Sequence, residues 1–398
     1  MDITVYPGKL SGQIAAIPSK SQAHRALICA AFSHTPTTIY CREISRDIEA
    51  TVDCLCALSA EIKRNADGYI VTPAKEIPDT ATLDCGECGS TLRFLLPVVA
   101  ALGVDTTFCL SGRLPQRPLS PLWEVLGGMG CQLTRPTENT VRCQGKLHTG
   151  TFTIDGGVSS QFISGLLFAM ALLPGKSQLH LTGKTESAPY IQMTRDMLQR
   201  FGVTSEDFAI CGNFPFRSPG QLPIEGDWSN SAFFLAANTL GSTVSVTGLD
   251  NNSPQGDRVI TDILKSLTCF TTVDAADIPD LVPILAVKAC QKQGACFTNI
   301  KRLRLKESNR VKSTAALLNS LGGEVMVTEN EMTVTPAVFH GGTVDAMGDH
   351  RIAMAAAIAA TAATGPVTIL GAECVAKSYP GFWEDFRKLG GNYEQHIR

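Results

Sequence analysis

A repeated pattern constrains the fold of this chain more than any other feature of its sequence. A short β-rich stretch, a polar turn with Gly, Ser, Asp or Pro, and an apolar, Ala-rich run at helical spacing occur six times in 398 residues. The copies begin at Ile14, Thr82, Phe152, Leu222, Val273 and Val344. Their starts lie about 70 residues apart, except for an interval of about 50 residues between the fourth and fifth copies. This regularity predicts repeated supersecondary units.

The segments between these copies predict a second set of elements. Amphipathic helices are predicted over residues 48–58, 190–201, 257–267 and 311–321, followed by Gly-marked turns and alternating strands such as GGEVMVTENEMTVTP. Each unit is therefore predicted to be βαβαββ, and six units in a chain of this length predict two domains of three units. Because strand, Gly turn and helix are common in α/β proteins, chance repetition is the alternative.

Composition excludes several classes of protein. With 44% hydrophobic and 18% charged residues, the chain can bury large cores. Its formal net charge of -3 gives no overall field that would attract nucleic acid. The first residues, MDITVYPGKLSG, do not resemble a signal peptide, and the apolar runs are too short to cross a bilayer. We therefore expect a cytoplasmic protein.

The fourteen cysteines are scattered through the chain, many of them inside apolar runs. This distribution is typical of reduced, buried cysteines that pack as small hydrophobes. Cys85 and Cys88 form a single C-x-x-C pair without a second pair or a neighbouring His in the sequence. A zinc site needs more ligands than that. The sequence therefore predicts no metal.

The polar turns are candidate anion sites because a helix start presents unpaired N–H groups and the positive end of its dipole. Four turns also carry side chains suited to phosphate or carboxylate: Lys20 and Arg25, Arg93, Ser159 with Ser160 and Gln161, and His350 with Arg351. Three further basic segments are SGRLPQRP, KRLRLKESNR and CVAKSYP. Each alone is typical of a solvated surface, and KRLRLKESNR alone also fits nucleic acid. Together they favour a small substrate with several anionic groups.

Seven segments resemble the successive motifs of the 5-enolpyruvylshikimate-3-phosphate synthase family. They are PSKSQAHRALICAA, GECGSTLRF, RLPQRPL, VSSQFISGLL, LKESNR, GDHRIAM and AKSYPGFWEDF. They occur in the family's order and extend from Pro18 to Phe386, nearly the whole chain. Joint occurrence makes the resemblance strong, although each motif alone is weak.

The resemblance implies an α/β fold of two similar domains, each of three βαβαββ units with sheets outside and helices inside, an inside-out α/β barrel. The chain is expected to cross between the domains near Ile17 and Glu225. Residues 1–17 with 226–398 would form one domain and residues 18–225 the other, with the active site in the cleft between them.

The resemblance also implies an enzyme of the shikimate pathway. It would transfer the enolpyruvyl group of phosphoenolpyruvate to the 5-hydroxyl of shikimate 3-phosphate, without cofactor or metal. The expected partners are these two small molecules, with no nucleic acid and no membrane, and the expected state is a monomer.

Site residues carried over from the motifs form two overlapping sets. Shikimate 3-phosphate is expected to contact Lys20, Ser21, Arg25, Ser159, Ser160, Gln161, Ser187, Tyr190, Asp280 and Lys306. Phosphoenolpyruvate is expected to contact Lys20, Gly89, Arg93, Arg117, Gln161, Arg310, His350, Arg351 and Lys377. Asp280 is the candidate to accept the hydroxyl proton, and Glu307 or Lys20 the candidate to handle the proton at the methylene carbon. From its position alone, Asp280 is equally typical of a helix N-cap.

Three residues depart from the family pattern. Glu87 stands where many members have Asn, Arg302 stands where some have Asn, and Ser90 stands for a frequent Thr. Glu87 places a negative charge close to an expected anion site, which leaves its role open.

Two alternatives remain at this point. A related enzyme uses UDP-N-acetylglucosamine as acceptor, with a loop Cys and an early Lys-Asn pair, where this chain has RLPQRPL and Lys20-Ser21. A non-catalytic protein that binds RNA ends on the same scaffold is the other. The joint presence of Asp280, Glu307 and Lys20 speaks against it.

Overall fold

The structure is a computed structural model that describes residues 1–212 and 214–396. The strands are β1 Asp2–Val5, β2 Ser11–Ala15, β3 Thr37–Tyr40, β4 Glu61–Asn65, β5 Gly68–Thr72, β6 Thr80–Asp84, β7 Asp105–Cys109, β8 Cys131–Thr134, β9 Thr140–Gly145, β10 Thr151–Asp155, β11 Gly175–Thr182, β12 Ser205–Glu206, β13 Ala209–Gly212, β14 Gln221–Pro223, β15 Thr243–Thr247, β16 Thr271–Asp274, β17 Ala295–Thr298, β18 Val325–Val327, β19 Glu331–Val334, β20 Gly342–Asp345, β21 Val367–Leu370 and β22 Tyr393–His396. The helices are α1 Lys20–Ala31, α2 Arg46–Ala57, α3 Gly89–Leu102, α4 Leu122–Gly128, α5 Ser160–Leu172, α6 Ala188–Arg200, α7 Trp228–Thr239, α8 Ile260–Ser266, α9 Val282–Cys290, α10 Arg310–Ser320, α11 His350–Ala360 and α12 Phe382–Lys388.

The chain divides into two compact units. One, here called the N-half unit, is Pro18–Ile224. The other, the C-half unit, joins Met1–Ile17 to the chain from Glu225 onward. Each unit has its own hydrophobic core.

The N-half unit contains three four-stranded sheets, in the orders β14-β3-β5-β4, β6-β7-β9-β8 and β10-β11-β13-β12. In each sheet the first two strands are parallel and the others antiparallel; in one, Leu83 lies opposite Phe108, and Phe108 opposite Val141. These three side chains are fully buried, and their neighbours along the strands are more exposed. Each sheet therefore covers the core with one face and meets solvent with the other.

The helices α1, α3 and α5 form the centre of the N-half unit. Helix α5 buries 12 of its 13 residues, so it is apolar on nearly every side. A side chain at Gly165 would place its Cβ 2.2 Å from the carbonyl oxygen of Arg93, so glycine is required for α3 and α5 to pack this closely. Helices inside and sheets outside are the predicted arrangement, and the fold class is confirmed.

The C-half unit has two four-stranded sheets, β16-β17-β19-β18 and β20-β21-β1-β22, and a two-stranded sheet, β15-β2. Its central helices are α7, α9 and α11, and every residue of α9 and α11 is buried. Helix α8 ends at Ser266 and strand β16 begins at Thr271. This connection is too short for the two-stranded hairpin that ends the other units. This missing hairpin is the physical reason for the short interval of about 50 residues in the repeat.

Two strands belong to sheets other than those that their sequence neighbours suggest. Strand β2 precedes α1 in the chain but pairs with β15 in the C-half unit. Strand β14 precedes α7 but pairs with β3 in the N-half unit. The strand at Leu222 is therefore not the first strand of the fourth unit, as the repeat predicts, because the chain passes from one unit to the other immediately after it.

The longest helix, α3, has 14 residues. In the described part of the chain, no helix combines the length and the apolar character needed to cross a membrane.

Candidate active site

In the N-half unit, the starts of the three central helices meet. His24 in the first turns of α1 approaches Cys88, the residue before α3, with 3.9 Å between Nε2 and Sγ. Gln161 at the start of α5 donates from Nε2 to the hydroxyl oxygen of Ser90 on α3 at 2.9 Å. Ser159 caps α5 by accepting a hydrogen bond from the backbone N–H of Gln161. Three positive helix ends therefore lie together, as an anion site requires.

Arg25 is the buried cation of this region. It donates to the hydroxyl oxygen of Thr194 at 2.7 Å and to the carbonyl oxygens of Ser21 at 2.6 Å and Tyr190 at 2.9 Å. Its guanidinium lies over the ring of Phe94. Burial lowers the pKa of Arg25 to about 10, which leaves it charged at neutral pH. Because its acceptors are neutral, its charge remains available to attract an anion.

Tyr190 in the first turn of α6 lies beside Arg25, and Ser187 is the residue just before this helix. Ser187 is buried and adopts the left-handed conformation, with φ 55° and ψ 38°. Non-glycine residues are uncommon there, and such residues occur more often at functional sites. The predicted residues Ser21, Arg25, Ser187 and Tyr190 are therefore brought into one group, here called the Arg25 group.

Gly89 lies against two guanidiniums. A Cβ at this position would be 2.6 Å from Nη1 of Arg93 and 2.6 Å from Nη1 of Arg117. Arg93 and Arg117 are only 3% and 8% exposed. Arg93 also donates to the carbonyl oxygen of Pro118 at 3.2 Å. Absence of a side chain at position 89 is what allows both cations to reach the N-terminus of α3.

Lys20 forms an ion pair with Asp47, with 2.7 Å between Nζ and Oδ2. Asp47 lies in the first turn of α2, behind the N-cap Ser45. Sequence reasoning missed Asp47 as a site residue, because an acidic residue in a first turn is ordinary helix chemistry.

In the C-half unit, Asp280 is surrounded by cations. Its Oδ1 lies 2.7 Å from Nη1 of Arg310 and 3.8 Å from Nζ of Lys306, and its Oδ2 lies 3.4 Å from Nη2 of Arg351. Burial by itself would raise the pKa of Asp280, but these three charges hold it well below its ordinary value. The N-cap position of α9 is taken by Leu281, so Asp280 forms ion pairs instead of capping that helix.

Arg310 joins three carboxylates while being fully buried. Nη2 lies 2.7 Å from Glu307 Oε2, Nη1 2.7 Å from Asp280, and Nε 3.1 Å from Asp349. Burial opposes the charged form, yet the carboxylates outweigh it and raise the pKa of Arg310. A guanidinium this close favours the ionised form of Glu307 over the acid.

Arg351 and His350 are the first residues of α11, and both are buried. Arg351 donates from Nη1 to the side-chain oxygen of Asn230 at 3.4 Å, whereas its buried Nε has no acceptor in the described residues. Lys377 donates to the carbonyl oxygen of Gly348, just before α11, at 3.1 Å. The structure therefore gathers Asp280, Lys306, Glu307, Arg310, His350, Arg351 and Lys377 around the starts of α9 and α11, and this set is here called the Arg310 group.

Lys306 is a cation of this group whose proton is held less tightly than usual. Burial lowers the pKa of Lys306 to about 8, and Arg310 and Arg302 act in the same direction, while Asp280 opposes them. Arg302, one of the three departures from the family pattern, thus adds positive charge near Lys306. Glu87, another of them, is exposed and packs its carboxyl group against Gly112.

Asp257 is a buried carboxylic acid that the sequence did not reveal. Its Oδ2 accepts a short hydrogen bond from the hydroxyl of Ser229, and its Oδ1 has no hydrogen-bond partner in the described residues. Burial first, and then the charge of Asp280, raise the pKa of Asp257 to about 7. In the sequence it only begins a predicted helix, so nothing distinguished it.

The sequence matches one family over most of its length. The profile of EPSP synthase (3-phosphoshikimate 1-carboxyvinyltransferase) matches residues 5–386. A 3-phosphoshikimate 1-carboxyvinyltransferase of Clostridium kluyveri is 39% identical, over 99% of this chain and 98% of that protein. The enzyme of the same name from Clostridium acetobutylicum is 38% identical, with the same coverage.

Solved structures with a similar fold include an EPSP synthase from Acinetobacter baumannii. It has a TM-score of 0.79 and 23% identity, with 99% of this chain and 100% of that chain covered. The enolpyruvyl transferase NikO from Streptomyces tendae has a TM-score of 0.74 and 20% identity, with 100% and 99% covered. At these identities the structures establish the fold alone.

Proposed function

Since the chain belongs to the EPSP synthase family, we propose a division of its reaction between the Arg25 and Arg310 groups. The chain is an enzyme of the shikimate pathway. It transfers the 1-carboxyvinyl group of phosphoenolpyruvate to the 5-hydroxyl of shikimate 3-phosphate and releases phosphate, by addition and elimination through a tetrahedral intermediate. This reaction breaks the C–O bond of phosphoenolpyruvate, so a proton must reach the methylene carbon and later leave it.

The Arg25 group binds the phosphate of shikimate 3-phosphate in this proposal. The single observation that carries it is that Arg25 is buried and donates to neutral oxygens. A buried charge without a carboxylate partner gains most from an incoming anion. Around it, Ser21, Ser187 and Tyr190, together with the start of α5 at Ser159, Ser160 and Gln161, supply hydroxyl, amide and backbone donors.

Phosphoenolpyruvate is held by guanidiniums in our proposal. Arg93 and Arg117 beside Gly89 supply two of them, and Arg310 and Arg351 supply two more. His350 and Lys377 at the start of α11 add further donors. Forked guanidiniums suit both the phosphate and the carboxylate of this substrate. We propose that residues of both units contact the substrates during the reaction.

Asp280 accepts the proton of the 5-hydroxyl in this mechanism. With the neighbouring cations directed at it, Asp280 is a weak base, because they hold its pKa low. Binding of the phosphoenolpyruvate anion to Arg310 and Arg351 offsets those charges and raises the basicity of Asp280. Proton acceptance thus becomes favourable only when the donor substrate is present.

The proton at the methylene carbon is assigned to Lys20 or Glu307. Lys20 is held in an ion pair by Asp47. Glu307 lies beside Arg310, which favours its ionised form, so it must first receive a proton before acting as an acid. This difference favours Lys20 as the proton donor and Glu307 as a base in the elimination step.

The test is a measurement of phosphate release from phosphoenolpyruvate. Purified chain is mixed with phosphoenolpyruvate and shikimate 3-phosphate, and in parallel with phosphoenolpyruvate and UDP-N-acetylglucosamine. We expect turnover only with shikimate 3-phosphate, and strong loss of it in Asp280→Asn. Turnover with the sugar nucleotide alone would overturn the proposed acceptor. Full activity of Asp280→Asn would remove Asp280 from its role.

We further propose that the chain acts in the cytoplasm as a monomer and does not bind nucleic acid. The formal net charge of -3 supports the last point, since phosphate backbones attract basic proteins. Sedimentation across a range of concentrations tests the monomer, and fractionation of cells that produce the chain tests the location.

A further inference from the structure

We propose that His24, Asp47 and Cys88 bind a Zn²⁺ ion, and that the bound ion inhibits the enzyme by displacing Lys20 from Asp47. Their ligand atoms all lie within 4.8 Å of one another. The three residues come from α1, from α2 and from the turn before α3. The sequence hides this group because Cys88 and His24 are 64 positions apart.

The donor atoms fit zinc chemically. Imidazole nitrogen, thiolate sulfur and carboxylate oxygen are the ligands that Zn²⁺ takes in proteins, at about 2.0–2.3 Å, which places them about 3.3–3.8 Å apart in a tetrahedron. Nε2 of His24 and Sγ of Cys88 are already 3.9 Å apart. The Asp47 carboxylate, on a partly exposed side chain, moves inward to complete a three-residue set. Water takes the fourth position, as in open zinc sites.

The second ring nitrogen of His24 makes a hydrogen bond that orients the ring as a metal ligand. Nδ1 lies 2.7 Å from the hydroxyl oxygen of Thr51, which in turn lies 2.6 Å from the hydroxyl oxygen of Thr91. Zinc-bound histidines are usually oriented by such a hydrogen bond. Burial first, and then the charges of Lys20 and Arg25, lower the pKa of His24 well below its ordinary value, so the ring is neutral. A neutral ring is the form that binds metal.

The site already holds a positive charge. The ammonium of Lys20 lies 2.7 Å from Oδ2 of Asp47, and each side chain is 15% exposed, whereas His24 and Cys88 are buried. The exposed edge gives an ion a way in. On binding, the thiol of Cys88 loses its proton to water, and Lys20 leaves Asp47 with its proton retained. Zn²⁺ replaces one cation with another at the same carboxylate.

The expected inhibition rests on the proposed role of Lys20 in the reaction. With Asp47 coordinated to zinc, Lys20 is no longer held where it protonates the methylene carbon, and a new positive charge repels it. Inhibition should therefore be reversed by a chelator. Binding of the ion itself does not depend on that role and is measured separately.

Binding is tested with Co²⁺, which reports thiolate coordination by a charge-transfer absorption in the near ultraviolet. Untagged chain, kept reduced, is titrated with Co²⁺ and then with Zn²⁺ in competition. Cys88→Ser keeps an oxygen acceptor at the α3 N-cap but removes the thiolate, and His24→Asn keeps a side-chain group near Thr51 but removes Nε2. Cys211→Ser removes an exposed thiol of the same unit and is the matched control.

We expect one charge-transfer band in the unchanged chain and in Cys211→Ser, and its loss in Cys88→Ser and His24→Asn. In the phosphate-release assay, Zn²⁺ should inhibit reversibly, and Cys88→Ser should raise the half-inhibiting concentration by more than about tenfold, since even second-shell changes cost 10–100-fold in affinity. No band, or a band that survives in Cys88→Ser, would overturn the zinc site. A band without inhibition would support the zinc site but overturn the displacement of Lys20. A chain that shows the band but has no enzyme activity would contradict the proposed function only.

Discussion

Two buried arginines show how differently the halves of this molecule treat charge. Arg25 in the N-half unit donates to hydroxyl and carbonyl oxygens, so its charge is solvated by neutral groups. Arg310 in the C-half unit is as deeply buried but lies against Glu307, Asp280 and Asp349. In the proposed function, the first arrangement keeps a positive charge for the phosphate of shikimate 3-phosphate. The second lowers the proton affinity of Asp280, the proposed base.

Removal of Arg310 should give the largest effect. In Arg310→Met, three carboxylates lose their common partner, and loss of one member of a buried ionic network costs about 3–5 kcal/mol. We expect a large fall in the thermal unfolding temperature together with loss of phosphate release. Arg310→Lys, which keeps the charge, should recover much of the stability but little of the activity. An unchanged unfolding temperature in Arg310→Met would contradict the role assigned to the network.

Removal of Arg25 should separate binding from stability. Arg25→Met leaves no carboxylate unpaired, so its unfolding temperature should fall by less than that of Arg310→Met. Its kcat/KM for shikimate 3-phosphate should fall by about 10–100-fold, the value of one charge-assisted hydrogen bond. Steady-state kinetics with each substrate varied in turn provide the measurement. If both variants lost equal stability, the contrast between the halves would be wrong.

A substitution at Gly89 tests the arginines proposed to bind phosphoenolpyruvate without removing their charge. In Gly89→Ala, the new Cβ pushes the guanidiniums of Arg93 and Arg117 from their positions. We expect the KM for phosphoenolpyruvate to rise by about tenfold, which corresponds to about 1.4 kcal/mol, with a smaller change for shikimate 3-phosphate. Gly127→Ala on α4 is the control, because its Cβ meets open space. Equal kinetics for both variants would show that the close approach at Gly89 does not matter.

Asp257 should have the smallest effect on turnover, because no step of the reaction is assigned to it, and its effect should appear instead as a pH dependence of stability. Its pKa is about 7 in the folded chain and about 4 in the unfolded chain. Between pH 4 and pH 7 the folded chain keeps a proton on Asp257 that the unfolded chain has lost. The stabilisation that this proton gives is therefore fully present below pH 4 and is lost as pH rises through 7. Asp257→Asn cannot ionise and should be more stable than the unchanged chain at pH 8, by up to about 4 kcal/mol, the value of about three pKa units. At pH 4 the gain should vanish.

Unfolding temperatures between pH 4 and pH 8 test this expectation. Asp262→Asn is the matched control, because Asp262 is an exposed carboxylate on α8. A parallel pH profile for Asp257→Asn and the unchanged chain would mean that Asp257 is ionised throughout.

Much of the fold was predictable because the polar turns and apolar runs repeat. The helices predicted over residues 48–58 and 311–321 are close to α2 and α10, since their apolar spacing is local information. The repeat alone did not give the sheet membership of β2 and β14, because strand pairing depends on residues far along the chain, such as Val244 with Gly12 and Gln221 with Thr38. Only the family resemblance assigned residues 1–17 to the second half and the strand before Glu225 to the first. The local pattern of apolar residues identifies a strand but not the strand with which it pairs.

The candidate site was predictable where a cation lies at a helix start, as with Arg93 and Arg351. It was not predictable where the chemistry depends on burial and neighbours. Asp257 and Asp47 are ordinary in sequence, and only the structure shows that the first is buried near Asp280 and that the second lies against Lys20. Side-chain environment comes from tertiary packing, which one sequence does not display.

The position of β1 carries a consequence for synthesis of the chain. This strand lies between β21 and β22, pairing with residues 367–369 on one side and 393–396 on the other. The ribosome therefore releases β1 more than 360 residues before the strands that flank it, whereas Pro18–Ile224 contains every strand of its own sheets. On a growing chain the N-half unit is complete before β21 and β22 emerge, while β1 remains with unpaired edges until they do.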